Sequence, residues 1–104
     1  MKVKLCCIDE FDDEEVLQVT PEGMAPLAVY QVEDQYFVTD DTCSHGKASL
    51  SEEGELDGFV ITCTWHDGQF DVRTGEVLAM PCTKPIRSYP VVLDGDEIWI
   101  EVDA

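Results

Sequence analysis

The chain has only two histidines, and each follows closely on a cysteine: Cys43-Ser44-His45-Gly46 and, with 17 residues between His45 and Cys63, Cys63-Thr64-Trp65-His66-Asp67-Gly68. A thiolate and an imidazole offered twice make a four-donor set. Such a set works only if the fold brings two separate segments to one point, so any architecture for this chain must satisfy that convergence. Each segment also carries a glycine within two residues of its histidine, which lets backbone approach a bound group closely and present amide donors.

The rest of the composition narrows the field. The 104 residues suit one compact domain, 1–104, and 44% hydrophobic content is enough to build a core. Six Lys plus Arg against 23 Asp plus Glu leave a formal charge of -17, which disfavours nucleic acid and anionic membrane surfaces, both bound mainly through basic patches. The same charge suits a mobile protein that is steered towards basic partner surfaces. No run approaches the roughly 18 apolar residues of a membrane helix, and the start turns acidic at Asp9 before a signal-like apolar region develops. The expected location is therefore the cytoplasm. There the five cysteines, an odd number, point to metal ligation rather than a disulfide framework. Cys6 and Cys7 are adjacent in an apolar run; neighbours on a strand face opposite ways, so both read as structural.

Short β-branched or aromatic runs at 3–8, 16–19, 27–32, 36–39, 59–62, 69–72, 91–93 and 98–102 predict strands. Turn signals at Glu33-Asp34, Glu53-Gly54, Asp57-Gly58, Thr74-Gly75 and Asp94-Gly95 separate them. Segment 9–15 holds six acids in seven residues and reads as a solvated turn or the first turn of a helix. No long helix is predicted. The fold class is all-β, an antiparallel sandwich or barrel.

Two cysteines and two histidines suit a structural zinc ion or an iron-sulfur cluster. Familiar zinc spacings pair cysteine with cysteine and histidine with histidine, whereas here each segment offers one of each. That alternation fits a diiron cluster with both thiolates on one iron and both imidazoles on the other.

The pattern C-x-H, 17 residues, C-x2-H, written Cys43-Ser44-His45 and Cys63-Thr64-Trp65-His66, resembles the Rieske motif. The flanking text, from Phe37 through Gly46, from Gly68 through Gly75, and Met80-Pro81-Cys82-Thr83-Lys84-Pro85, is similar to the ferredoxin components of bacterial aromatic-ring-hydroxylating dioxygenase systems. The resemblance implies a Rieske-type antiparallel β fold with the cluster-binding loops at one tip and a third, proline-containing loop over them. It implies one [2Fe-2S] cluster on Cys43, His45, Cys63 and His66, and a carrier, not an enzyme, that passes single electrons from a flavin-dependent reductase to a terminal Rieske oxygenase. Trp65 would pack over the cluster, Lys47 and Lys84 would flank it, and Cys82 would not be a ligand. The rival readings are a Rieske-like subunit of a nitrite reductase, which commonly lacks the full ligand set kept here, and a structural zinc module. An oxygenase in its own right fails by count, because both histidines are already assigned and a mononuclear iron site needs two more.

The resemblance also implies a potential. High-potential Rieske proteins carry an extra disulfide-bonded cysteine in each ligand loop, at positions that here are Ala48 and Trp65. Their serine and tyrosine donors correspond to Gly68 and Phe70. Fewer donors to the cluster sulfurs leave the reduced state less stabilised. The midpoint should lie near the bottom of the roughly -150 to +300 mV Rieske range; protein-film voltammetry at pH 7 checks this, and a value above about +100 mV would contradict it.

Overall fold

The computed structural model describes residues 2–11, 15–42, 49–63, 68–79 and 86–102. In chain order these form β1 (Lys2–Cys7), a 3-10 turn (Ile8–Phe11), β2 (Val16–Val19), β3 (Leu27–Val32), β4 (Gln35–Asp40), the one-turn helix α1 (Leu50–Glu53), β5 (Gly54–Asp57) and β6 (Val60–Cys63). They continue with β7 (Gly68–Asp71), β8 (Val77–Ala79), β9 (Ser88–Tyr89), β10 (Val91–Asp94) and β11 (Glu97–Glu101). Among the described residues the strands pair antiparallel in three sheets, ordered β1-β11-β10, β2-β3-β4-β9 and β5-β6-β7-β8. The all-β expectation is met, and the eight runs read from the sequence all fall on strands.

The central layer is set by β3. Its sequence Leu-Ala-Val-Tyr-Gln-Val is almost continuously apolar, as a strand covered on both faces must be. Leu27 and Val29 face a cluster that includes Cys6, Phe11, Val38, Ile98 and Ile100. Ala28 and Tyr30 face a second cluster with Leu50, Ile61, Cys63, Phe70 and Val72. The period-two alternation of side chains thus places β3 between the other two sheets. Tyr30 is fully buried, and its hydroxyl lies 2.9 Å from Thr39 Oγ1. Since Thr39 Oγ1 donates to the Asp40 carbonyl, the Tyr30 hydroxyl is the donor in that pair, and burial holds its pKa far above that of an ordinary phenol.

Local sequence explains the turns. Glu33 and Asp34 both take positive φ (48° and 67°), the left-handed pair that joins β3 to β4 in a two-residue hairpin. Glu53-Gly54 is not a turn between strands but the junction where α1 passes into β5. The acidic segment begins as the 3-10 turn, with Glu10 accepting the Cys7 N–H at 2.5 Å. Cys6 packs in the core, where burial, aided by Glu10, pushes its pKa up to about 11, so it stays a thiol at neutral pH. The structural reading of Cys6 holds.

The turn between β7 and β8 is built on Asp71. Its carbonyl accepts from Gly75 N and its carboxylate takes two bonds from the Arg73 guanidinium, at 3.0 and 2.8 Å, and one from the Arg73 N–H at 2.9 Å. The Arg73 hydrogen bonds hold the Asp71 carboxyl below its ordinary pKa. A depressed carboxylate contributes stability above the unfolded pKa of about 3.9 and loses it as pH falls through the folded value. Thermal melts of Arg73→Gln against wild type should therefore differ most near neutrality and converge in acid, once pH has fallen well below the unfolded value; a constant gap would show that the pair contributes through packing alone. Gly75, at φ +79°, lies against the backbone of Ile86, whose N–H bonds to the Gly75 carbonyl at 3.0 Å, and an added Cβ would collide with the Ile86 carbonyl. Gly58 has a similar φ of +61° but nothing within 4 Å of such a Cβ. In urea unfolding, Gly58→Ala should cost about 1 kcal/mol from its backbone conformation, and Gly75→Ala distinctly more; equal costs would remove any role for the Ile86 contact.

Candidate cluster-binding site

Of the four residues singled out as ligands, Cys63 lies within the described residues; Cys43, His45 and His66 lie outside them, as do Lys47, Trp65, Cys82 and Lys84. The described strands nevertheless fix where the three segments 43–48, 64–67 and 80–85 leave and rejoin the fold. Cys63 ends β6 and Gly68 opens β7, and the two are register partners. Ala79, the last residue of β8, pairs with Gln69 beside Gly68. Three of the attachment points thus share one end of the β5-β6-β7-β8 sheet. Segment 43–48 is framed by an isolated bridge between Thr42 and Ser49. From Ser49 the chain makes the single turn of α1 and enters Gly54, the register partner of Cys63 on its other side. Segment 80–85 returns at Ile86 and Arg87, and the Arg87 carbonyl accepts the Asp40 N–H at 2.9 Å, two residues before Thr42.

The surroundings of Cys63 fit a cluster thiolate. It is 2% exposed and packs in the cluster that contains Leu50, Ile61 and Phe70. Its cross-strand neighbours are both glycine, so neither flanking strand sets a side chain beside the sulfur. Gly54 has a steric reason of its own: a Cβ there would strike the Leu50 carbonyl and come 2.9 Å from Ile61 Cδ1. The donor set of two cysteines and two histidines and a dry, uncrowded position for one thiolate both suit a mixed-ligand [2Fe-2S] cluster.

The described residues that flank segment 43–48 form a polar network that the sequence reading did not single out. Asp41 is 2% exposed, and its carboxylate accepts from Ser49 Oγ at 2.5 Å, Gln18 Nε2 at 2.7 Å and Ser51 N at 2.7 Å. Ser49 is also the N-cap of α1, accepting from Glu52 N at 3.3 Å. The signal for part of this was present, since Ser49-Leu50-Ser51-Glu52 is the S-x-x-E pattern of a helix start. On the neighbouring strand, Tyr89 donates to Asp40 Oδ1 at 2.7 Å, and burial together with this carboxylate pushes the phenol up to about 12.

Comparison with known proteins agrees with this arrangement. The Rieske [2Fe-2S] domain family matches residues 1–90. The ferredoxin component of the p-cumate 2,3-dioxygenase system of Pseudomonas putida is 52% identical over 103 residues, spanning 98% of this chain and 86% of the relative. Among solved structures, the Sphingomonas yanoikuyae B1 ferredoxin superposes with a TM-score of 0.91 at 41% identity, covering 99% of this chain and 100% of that one. A second, from the complex of reduced oxygenase and oxidized ferredoxin in carbazole 1,9a-dioxygenase, gives a TM-score of 0.86 at 43% identity, over 95% and 91% of the two chains. With its motif residues, its antiparallel sheets and this family match in agreement, the chain belongs to the Rieske [2Fe-2S] domain family.

Proposed function

We propose that the chain is the ferredoxin component of an aromatic-ring dioxygenase system, with residues 1–104 forming one Rieske unit that works in the cytoplasm. Cys43 and Cys63 would hold one iron of a single [2Fe-2S] cluster as thiolates, and His45 and His66 the other as neutral imidazoles. When bound, the cluster supplies a reversible one-electron couple. The chain's own task is to hold that centre and present it to two partners in turn, a flavin-dependent reductase and a terminal Rieske oxygenase; it carries out no substrate chemistry. The observation that carries this reading is the meeting of the segment ends around the buried Cys63, together with relatives named as ferredoxin components and a neighbour solved with an oxygenase. Family membership favours iron-sulfur ligation over structural zinc.

Charge supports a carrier that must find its partners. Among the described cations, Lys4 is paired with Glu97 at 2.9 Å and Arg73 with Asp71 at 2.8 Å, and the chain as a whole carries a net charge of -17. A strong negative field steers encounter with basic surfaces. Among the described residues no helix is long and apolar enough to cross a membrane.

Purified protein should be red-brown with two irons and two acid-labile sulfides per chain. His66→Ala should lose the iron, and Cys82→Ser should keep it. Stoichiometric zinc in a colourless natively expressed sample, or iron lost with Cys82→Ser but retained with His66→Ala, would overturn the ligand assignment.

A further inference from the structure

Resting on that ferredoxin reading, we infer that Asp41 is a positioning residue: its buried carboxylate ties the two ends of segment 43–48 to each other, to the start of α1 and to Gln18 on β2, and its charge holds the midpoint potential down. The carboxylate sits before the segment and is bound to groups after it. Oδ2 accepts from Ser49 Oγ at 2.5 Å and Gln18 Nε2 at 2.7 Å, and Oδ1 accepts from Ser51 N at 2.7 Å. Its backbone does the same work, donating to the Pro26 carbonyl at 3.2 Å and accepting from Leu50 N at 2.7 Å.

These contacts couple the two ligand segments. Ser49 caps α1 at Glu52 N while Asp41 takes the N–H of Ser51, so two of the unpaired donors at the start of this single turn are satisfied. The turn then delivers Gly54 into register with Cys63. One carboxylate therefore sets where segment 43–48 begins, where it ends, and how both ends stand relative to the Cys63 strand. A single helical turn is not stable by itself, so this placement depends on the network and on the buried Leu50.

The electrostatic part follows from reach. Two residues of chain span at most about 7 Å, so the Asp41 backbone is close to that of Cys43. All three side-chain and backbone donors to the carboxylate are neutral groups. A negative charge in such a place, poorly screened by solvent, opposes the arrival of an electron nearby.

Asp41→Asn keeps the shape but removes the charge and one acceptor oxygen, and the test compares it with wild type and with Ile100→Ala, a core truncation in the other apolar cluster. We expect Asp41→Asn to release iron to a chelator about tenfold faster, the scale of one charge-assisted hydrogen bond, to raise the midpoint, and to alter the EPR g-values of the reduced protein. Ile100→Ala should lower the melting temperature and leave midpoint and g-values unchanged. Should Asp41→Asn fail to fold, Ser49→Ala and Gln18→Ala each remove one donor and keep the carboxylate; they should speed iron release in the same direction and shift the g-values. The inference is overturned if Asp41→Asn matches Ile100→Ala with wild-type midpoint and spectrum, or if, in its place, those two variants release iron no faster than wild type and keep its g-values. A wild-type chain without iron would instead bring down the ferredoxin reading, and the clamp with it.

Discussion

The burial of β3 on both faces is the constraint on which the other layers depend. A strand whose alternate side chains face two different apolar clusters can be covered only if a sheet packs on each side, and here the β1-β11-β10 and β5-β6-β7-β8 sheets do so. The polar groups admitted to this interior are the ones with partners, as with Tyr30 and Thr39. A rigid middle layer also gives the neighbouring sheet a fixed floor, and the ends of that sheet are where the segments bearing the motif residues attach.

Precision at the site comes from short connections. Cys63 and Gly68 are direct register partners, so segment 64–67 begins and ends on a closed hairpin. Segment 43–48 begins and ends on the Thr42–Ser49 bridge, reinforced by Asp41. Segment 80–85 starts beside Gln69 and returns where Ile86 meets Gly75 and Arg87 meets Asp40. Ligand positions that must agree to within a fraction of an ångström are best carried on loops whose ends cannot drift. The glycines at 54 and 75 serve the same end, since at each a backbone carbonyl occupies the space a side chain would fill.

Structure and charge divide the labour of an electron carrier. The interior holds Cys63 away from water, as the proposed cluster would require. The acidic exterior, with Lys4 and Arg73 already paired to carboxylates, provides long-range attraction towards basic partner surfaces. Neither property needs a substrate pocket, in keeping with a protein whose work is recognition and transfer.

Much of this was written in the sequence alone. The apolar runs marked β1 to β4, β6, β7, β10 and β11 because each is long enough and patterned enough to declare a strand. The paired cysteine and histidine segments declared their chemistry through residue type and spacing. What the tertiary structure decided is whatever depends on a distant partner. Strand β5 has one apolar residue, Leu56, and becomes a strand by pairing with β6; β8 and β9 are two or three residues long and exist only against Gln69 and Phe70 or Val38 and Thr39. The role of Asp41 was likewise illegible, since an aspartate two places before a cysteine resembles any surface acid until Gln18, Ser49 and Ser51 are folded around it. Local sequence encodes local preference, whereas a buried charge acquires its meaning from donors that only the closed chain brings within reach.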